Sequence, residues 1–205
     1  MDPKKDDCIN ILITGVGGQG NVTFSRMLGE TVVNEYKDIT IGETFGASQR
    51  GGSVISHLRL GIKRIYSPVI PFNKADIVIG LEPLETIRVL TQYGNNNVIS
   101  VSNIWPLMPS GVLAGETEYP ENTHIKETIE SLSKKSFVHN FTKSALETGH
   151  FLLANSIIAG LVSGLELIKG LNKENYYKVL KNNYSKDAAK KNIEAFSKGA
   201  ILCEY

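Results

Sequence analysis

The stretch Ile9-Asn10-Ile11-Leu12-Ile13-Thr14-Gly15-Val16-Gly17-Gly18-Gln19-Gly20 decides the fold. Ile9 to Ile13 is a short β-branched and apolar run broken only by Asn10, the pattern of a central parallel strand buried on both faces. Beyond the glycines the apolar period lengthens. Phe24, Met27, Leu28, Thr31 and Val32 fall at i, i+3, i+4, i+7 and i+8, which predicts a helix running to about Asn34 with one stripe facing a core. Strand, glycine turn and helix in that order specify an α/β unit. Gly15, Gly17 and Gly20 also fit the Gly-x-Gly-x-x-Gly template, which presents backbone N–H groups to an anion at a helix N-terminus. An NAD-binding oxidoreductase would add an acidic residue about twenty residues further on to hold the ribose, and Glu43 is the best-placed candidate.

A second turn, Gly46-Ala47-Ser48-Gln49-Arg50-Gly51-Gly52-Ser53, feeds another strand and has no place in a dinucleotide fingerprint. Gln49 donates and accepts hydrogen bonds, Arg50 offers a planar fork to carboxylate or phosphate, and Gly51-Gly52 open backbone geometries closed to other residues. Either Arg50 binds a ligand or it pairs with a neighbouring carboxylate while the glycines only shape a loop. Gly15, Gly17, Gly18, Gln19, Gly20, Ser48, Gln49, Arg50, Gly51 and Gly52 are therefore the candidate cofactor-binding or interface residues.

Outward from these turns, Asp38 to Glu43 reads as a second strand and Val54 to Leu60 as a third, with Val54, Ser56, Leu58 and Leu60 on one face and Ile55, His57 and Arg59 on the other. Gly61-Ile62-Lys63-Arg64 is expected to form a hairpin loop into an edge segment Ile65 to Pro68, an antiparallel excursion from the βαβ pattern. Further strands are expected at Ala75 to Gly80, Val98 to Val101 and Phe137 to Asn140. Pro83 suits the first turn of a helix whose apolar face is Leu84, Ile87 and Leu90. Asn103 to Pro120 has the composition of a long irregular segment, and Ile125 to Leu132 that of a short helix. His150 to Lys169, Lys173 to Lys181 and Ala188 to Cys203 form a run of C-terminal helices, the first holding Gly160-x-x-x-Gly164. Those two glycines let a second backbone approach, either within the same domain against the sheet or from another subunit.

Composition narrows the function. The chain has 205 residues and a formal charge of +1, with 22 basic and 21 acidic side chains, so no global field draws it to nucleic acid, a membrane or an acidic partner. Phe151 to Ile168 is the most apolar stretch, but Asn155, Ser156, Ser163 and Glu166 interrupt it short of the ~20 residues of a spanning helix. Two cysteines, Cys8 and Cys203, provide no iron–sulfur or zinc ligand set and point to a reduced, cytoplasmic setting. His57, His124, His139 and His150 show no metal-binding spacing, and no nucleophile elbow or Walker loop occurs. Glu82 and Glu85, three residues apart at a helix start, read as partners of the helix dipole rather than as an acid and base. The residues contain no self-sufficient catalytic set.

Gly15 to Gly20, Gly46 to Val54, Ser56-His57-Leu58-Arg59 and Ala75-Asp76 together resemble the gamma-type subunit of the 2-oxoacid:ferredoxin oxidoreductases. Tyr66-Ser67-Pro68, Glu82-Pro83-Leu84-Glu85, Tyr119-Pro120 and Asn192-x-x-Ala195-Phe196 are most similar to the beta subunit of the indolepyruvate members. The resemblance implies a non-catalytic subunit supporting oxidative decarboxylation. In such complexes a thiamine diphosphate carbanion attacks the 2-oxoacid, carbon dioxide leaves, 4Fe-4S clusters pass electrons to ferredoxin, and coenzyme A accepts the acyl group. Thiamine diphosphate, Mg and the clusters are expected on a large catalytic subunit, none on this chain alone. The fold expected is a Rossmann-like three-layer α/β fold, with a mostly parallel sheet, an antiparallel excursion and C-terminal helices. It is expected to form a single domain over 9–205 after a loose tail over 1–8.

Overall fold

A computed structural model describes residues 8–46, 52–108, 110–116 and 118–204. Cys8, expected in the tail, is the first residue of strand β1 (Cys8–Val16), and the rest of that tail lies outside the described residues. Helix α1 (Asn21–Thr31) follows, then β2 (Asp38–Phe45), β3 (Ser53–Gly61), β4 (Ile77–Gly80), α2 (Pro83–Tyr93) and β5 (Ile99–Asn103). A helical turn α3 (Ser110–Leu113) and helix α4 (Asn122–Ser131) lead to β6 (Lys135–His139) and α5 (Phe141–Leu146). The chain ends in α6 (Ala154–Gly164), α7 (Lys173–Asn183) and α8 (Lys186–Ile201).

One six-stranded sheet runs β2-β3-β1-β4-β5-β6. β1, β4, β5 and β6 are parallel, and β3 is antiparallel to both of its neighbours. Alternation within the central strands divides the core between two faces, as a sheet covered on both sides demands. Ile11, Ile13, Ile77 and Ile79 join Phe24, Met27 and Leu28 of α1 and the C-terminal helices in one cluster. Leu12 and Val78 point the other way, to Val89, Leu90 and Tyr93 of α2 and Ile125 and Ile129 of α4. The three layers and the mostly parallel sheet follow from this division.

The antiparallel excursion is present, but the expected hairpin is misplaced. β3 pairs with β2, with Phe45 opposite Val54, so the loop between them is the second glycine turn rather than Gly61 to Arg64. Ile65 to Pro68 makes no strand; the segment crosses the sheet, where Pro68 lies over Gly42 and Ile70 N–H donates to His57 Nδ1 at 3.2 Å. Pro68 lacks the N–H that pairing needs, while Arg59 donates to the Ser67 carbonyl at 2.7 Å and holds the segment across the face. Both faces of β3 are thus covered, and His57, on the face opposite Leu58 and Leu60, is fully buried, its imidazole pKa lowered by burial and then by Arg59.

The α1 stripe is buried as its period requires, although the helix stops at Thr31. In α2 the buried residues are Pro83, Glu85, Thr86, Val89, Leu90 and Tyr93, leaving the expected Leu84 and Ile87 half-buried. The expected helix from His150 to Lys169 is a 3₁₀ turn (Phe151–Leu153) followed by α6, which ends where Glu166 adopts a left-handed φ of 54°. Gly160 and Gly164 are packed within the chain, as one reading of that motif had it, but against α8 rather than the sheet. A Cβ on Gly160 would lie 1.9 Å from the Phe196 carbonyl oxygen, and one on Gly199 1.8 Å from that of Ile157.

Candidate functional site

β1 leads through α1 to one face of the sheet and β4 leads through α2 to the other, so a topological switch point lies between their C-terminal ends. Open α/β sheets bind ligands and partners at such points. Here the first glycine turn stands at the end of β1 and Leu81-Glu82 at the end of β4. Since β1 and β3 are antiparallel and Val16 lies opposite Ser53, Gly46 and Gly52, the described ends of the second turn, lie at the same edge. Gly17 N–H donates to the Gly52 carbonyl at 3.1 Å and joins the two turns directly. Ser48, Gln49, Arg50 and Gly51 lie outside the described residues.

Gln19 organises the first turn. Its Oε1 accepts from Val16 N–H at 2.8 Å, its Nε2 donates to the Leu81 carbonyl at 2.9 Å, and its own carbonyl accepts from Asn155 Nδ2 at 3.0 Å. The amide thereby ties β1 to β4 and to α6. Asn103, at the end of β5, donates to the same Leu81 carbonyl at 3.1 Å and to Thr142 Oγ1 at 2.8 Å, continuing the edge toward α5. Between Gln19, Asn103, Thr142 and Asn155 a cavity of about 20 Å³ has room for one water. Asn103, Thr142 and Asn155 were not anticipated as site residues, because their partners lie at the ends of other strands.

Next to this network Glu82, 2% exposed, caps α2. Its Oε2 accepts from Glu85 N–H at 2.9 Å, and its Oε1 accepts from Tyr119 OH at 2.6 Å and Leu107 N–H at 3.4 Å. One carboxylate thus anchors both the helix and the two ends of the long loop after β5. Burial raises its pKa, with the three donors opposing. Burial, and then the hydrogen bond to Glu82, raise that of Tyr119. This is the helix-terminus role expected for Glu82, without a reacting pair.

The dinucleotide geometry is absent from the described part of the site. Glu43 lies on β2, and β3 separates β2 from β1, so the acidic residue stands two strand spacings, about 10 Å, from β1 instead of one. Glu43 faces Arg26 at 4.0 Å instead. Two turn donors, Val16 and Gly17 N–H, are already spent within the chain. Exposed Phe45, Trp105, Leu107, Met108, Phe151 and Leu152 stand on segments at this same edge, an apolar surface for a macromolecule. Gln19→Ala removes two side-chain bonds at the centre of the network and is expected to cost about 2 kcal/mol in urea unfolding. Gln19→Glu should cost at least as much, since a carboxylate cannot donate to Leu81; unchanged midpoints for both would refute the bracing role.

Fold and site define a doubly wound α/β scaffold whose first glycine turn is braced by its own side chains. The pyruvate ferredoxin/flavodoxin oxidoreductase family matches residues 10–201. The chain is 31% identical over 191 residues to indolepyruvate oxidoreductase subunit IorB of Pyrococcus horikoshii, spanning 93% of each. It is 33% identical over 156 residues, 76% of each, to that subunit of Archaeoglobus fulgidus. Among solved structures, pyruvate oxidoreductase subunit PORC of Thermotoga maritima shares the fold with a TM-score of 0.69 at 16% identity, over 96% of this chain and 97% of that one. The 2-oxoglutarate:ferredoxin oxidoreductase of Magnetococcus marinus, solved with 2-oxoglutarate, coenzyme A and succinyl-CoA, shares it at 0.70 and 17% identity, over 98% of this chain and 32% of that one. This chain thus spans about a third of that longer polypeptide. The chain belongs to the pyruvate ferredoxin/flavodoxin oxidoreductase family, as a small gamma-type subunit of a 2-oxoacid oxidoreductase complex.

Proposed function

We propose that this subunit serves an aryl pyruvate:ferredoxin oxidoreductase, with indolepyruvate the leading substrate, and that it is non-catalytic by itself. The overall reaction converts a 2-oxoacid and coenzyme A to acyl-CoA and carbon dioxide and delivers an electron pair to ferredoxin. Thiamine diphosphate, bound with Mg on the large subunit, supplies the carbanion chemistry. The groups do not fit this chain: a 4Fe-4S cluster takes four thiolates and the sequence has two cysteines. Among the described residues no three His, Cys, Asp or Glu side chains gather to hold a metal ion. No helix among them is long and apolar enough to cross a membrane, which accords with a cytoplasmic complex.

The observation that carries this reading is the joining of the two glycine turns through Gly17 and Gly52 on an edge with exposed Phe45, Trp105 and Phe151. That edge docks the large subunit, and the acyl acceptor enters beside Gly52 at its margin. The substrate class rests on the names of the relatives. The test is co-expression with a thiamine-dependent large subunit, followed by dye reduction with indolepyruvate, phenylpyruvate and pyruvate. Copurification with turnover only in the complex, fastest on aryl pyruvates, is expected. Turnover by the isolated chain would refute the non-catalytic role, and preference for pyruvate the substrate class.

A further inference from the structure

A mostly apolar cavity among the described residues adjoins the first glycine turn at Gly20. It lies where α1, the start of α6, α7 and α8 converge, and encloses about 340 Å³, within the range of small-molecule sites. Phe24, Met27, Leu153 and Tyr176, all buried, form its floor, and Leu152 and Tyr184 its sides.

Its polar groups are few and of one kind. Tyr176 OH and Ser156 Oγ lie 3.0 Å apart, and Ser156 donates to Asn192 Oδ1 at 2.7 Å, so the inner polar atoms are partnered and the wall is preformed. At the rim stand Lys191, Thr23 and His150. His150 Nδ1 accepts from Leu152 N–H at 3.2 Å, which leaves Nε2 to carry the ring proton as a donor. Lys191 forms no salt bridge with a described carboxylate, Asp187 one turn earlier included. No Asp or Glu lines the cavity. An apolar chamber with an unpaired ammonium and further donors at its mouth selects an anion with an apolar body and disfavours amines and dications.

We infer that this cavity is a binding site for a small monocarboxylate with an apolar body, that body against Leu152 and Tyr184 and its carboxylate at Lys191. The inference stands apart from the substrate assigned to the complex. Two lining groups link the cavity to the glycine turn, since Gly20 ends that turn and Asn155 holds the Gln19 carbonyl. A bound carboxylate therefore stiffens the turn that faces the partner subunit.

The test titrates 1-naphthylacetate and its neutral isostere 1-naphthylacetamide into the full chain, following binding by calorimetry and by amide shifts of Gly20 and Asn155. Saturable binding of the carboxylate is expected, with shifts at both amides. Lys191→Glu, on an exposed position, should weaken the carboxylate by at least about tenfold and the amide little, as loss of one charge-assisted contact would. Ala188→Trp, which fills the chamber, should abolish both. Absence of saturation, equal weakening of both probes by Lys191→Glu, or binding undiminished by a folded Ala188→Trp chain would each overturn the assignment. A failure of aryl pyruvate turnover in the complex would leave these outcomes unaffected.

Discussion

Gly160→Ala is expected to destabilise the protein by about 3 kcal/mol, at the upper end of overpacking costs and after the ~1 kcal/mol that alanine gains over glycine in a helix. The added methyl would lie 1.9 Å from the Phe196 carbonyl oxygen and 2.8 Å from its carbon, so the obstacle is α8 backbone and no side chain can swing away. The helices must separate, and Ile157, Ile158, Leu161, Ala195 and Phe196, all buried at this contact, lose packing together. Gly199→Ala approaches from the other helix, with its methyl 1.8 Å from the Ile157 carbonyl, and should cost as much. For a domain of this size the melting temperature should fall by roughly 6–12 °C. Gly29→Ala is the control, because its nearest neighbours lie 3.5 Å away and α1 gains propensity. Thermal unfolding in which Gly160→Ala melts with Gly29→Ala would disprove the close crossing.

Glu82→Ala should have the second largest effect. It removes the α2 cap, worth about 1 kcal/mol, and leaves Tyr119 OH and Leu107 N–H without their acceptor, for a combined loss of roughly 2–3 kcal/mol. Amide exchange should quicken at Leu107 and around Tyr119 before it quickens in β4, since the loop is held through this side chain. A pH dependence accompanies the effect. Burial raises the Glu82 carboxyl above its usual 4.5, so the folded protein binds that proton more tightly than the unfolded chain. The contribution is fully present below 4.5 and is lost as pH rises through the folded value. Glu82→Gln does not titrate, so its stability relative to the parent should improve as pH rises through that window and stay level below it. His57 works oppositely, its lowered pKa making the protein lose stability as pH falls below 6.5, but this is common to both chains and cancels in the comparison. A difference that is flat with pH would show that Glu82 is not the buried acid.

The residues that announced themselves in the sequence did so through local repeats. The α1 stripe was legible because Phe24, Met27, Leu28 and Val32 recur at the helical period, and β1 because an apolar run bounded by glycine fits a buried strand. Glu82 could be placed at a helix start because Pro83 suits the next position. The hairpin was not legible. Gly61 to Arg64 has turn composition while Gly46 to Gly52 resembles a ligand loop, and only the register of β2 against β3 distinguishes them. α5 was missed because its six residues hold too little period to detect. Gly160-x-x-x-Gly164 signalled a close approach but not its partner, since Gly199 lies far along the chain and is unremarkable there.

By itself the sequence determined the alternation of strands and helices, the two glycine turns, the scarcity of cysteine and the resemblance that these carry. Each is a property of neighbouring residues or of composition. The tertiary structure alone decided that β3 separates β1 from β2, which displaces Glu43 from a dinucleotide pocket, and that Gln19 braces the first turn from within. It alone assembled Asn103, Thr142 and Asn155 at one edge, and the apolar cavity from four helices. The reason is physical: strand order and helix crossings are set by burying apolar faces that local patterns leave equally available to several partners, and a site made at their junctions exists only once that choice is made.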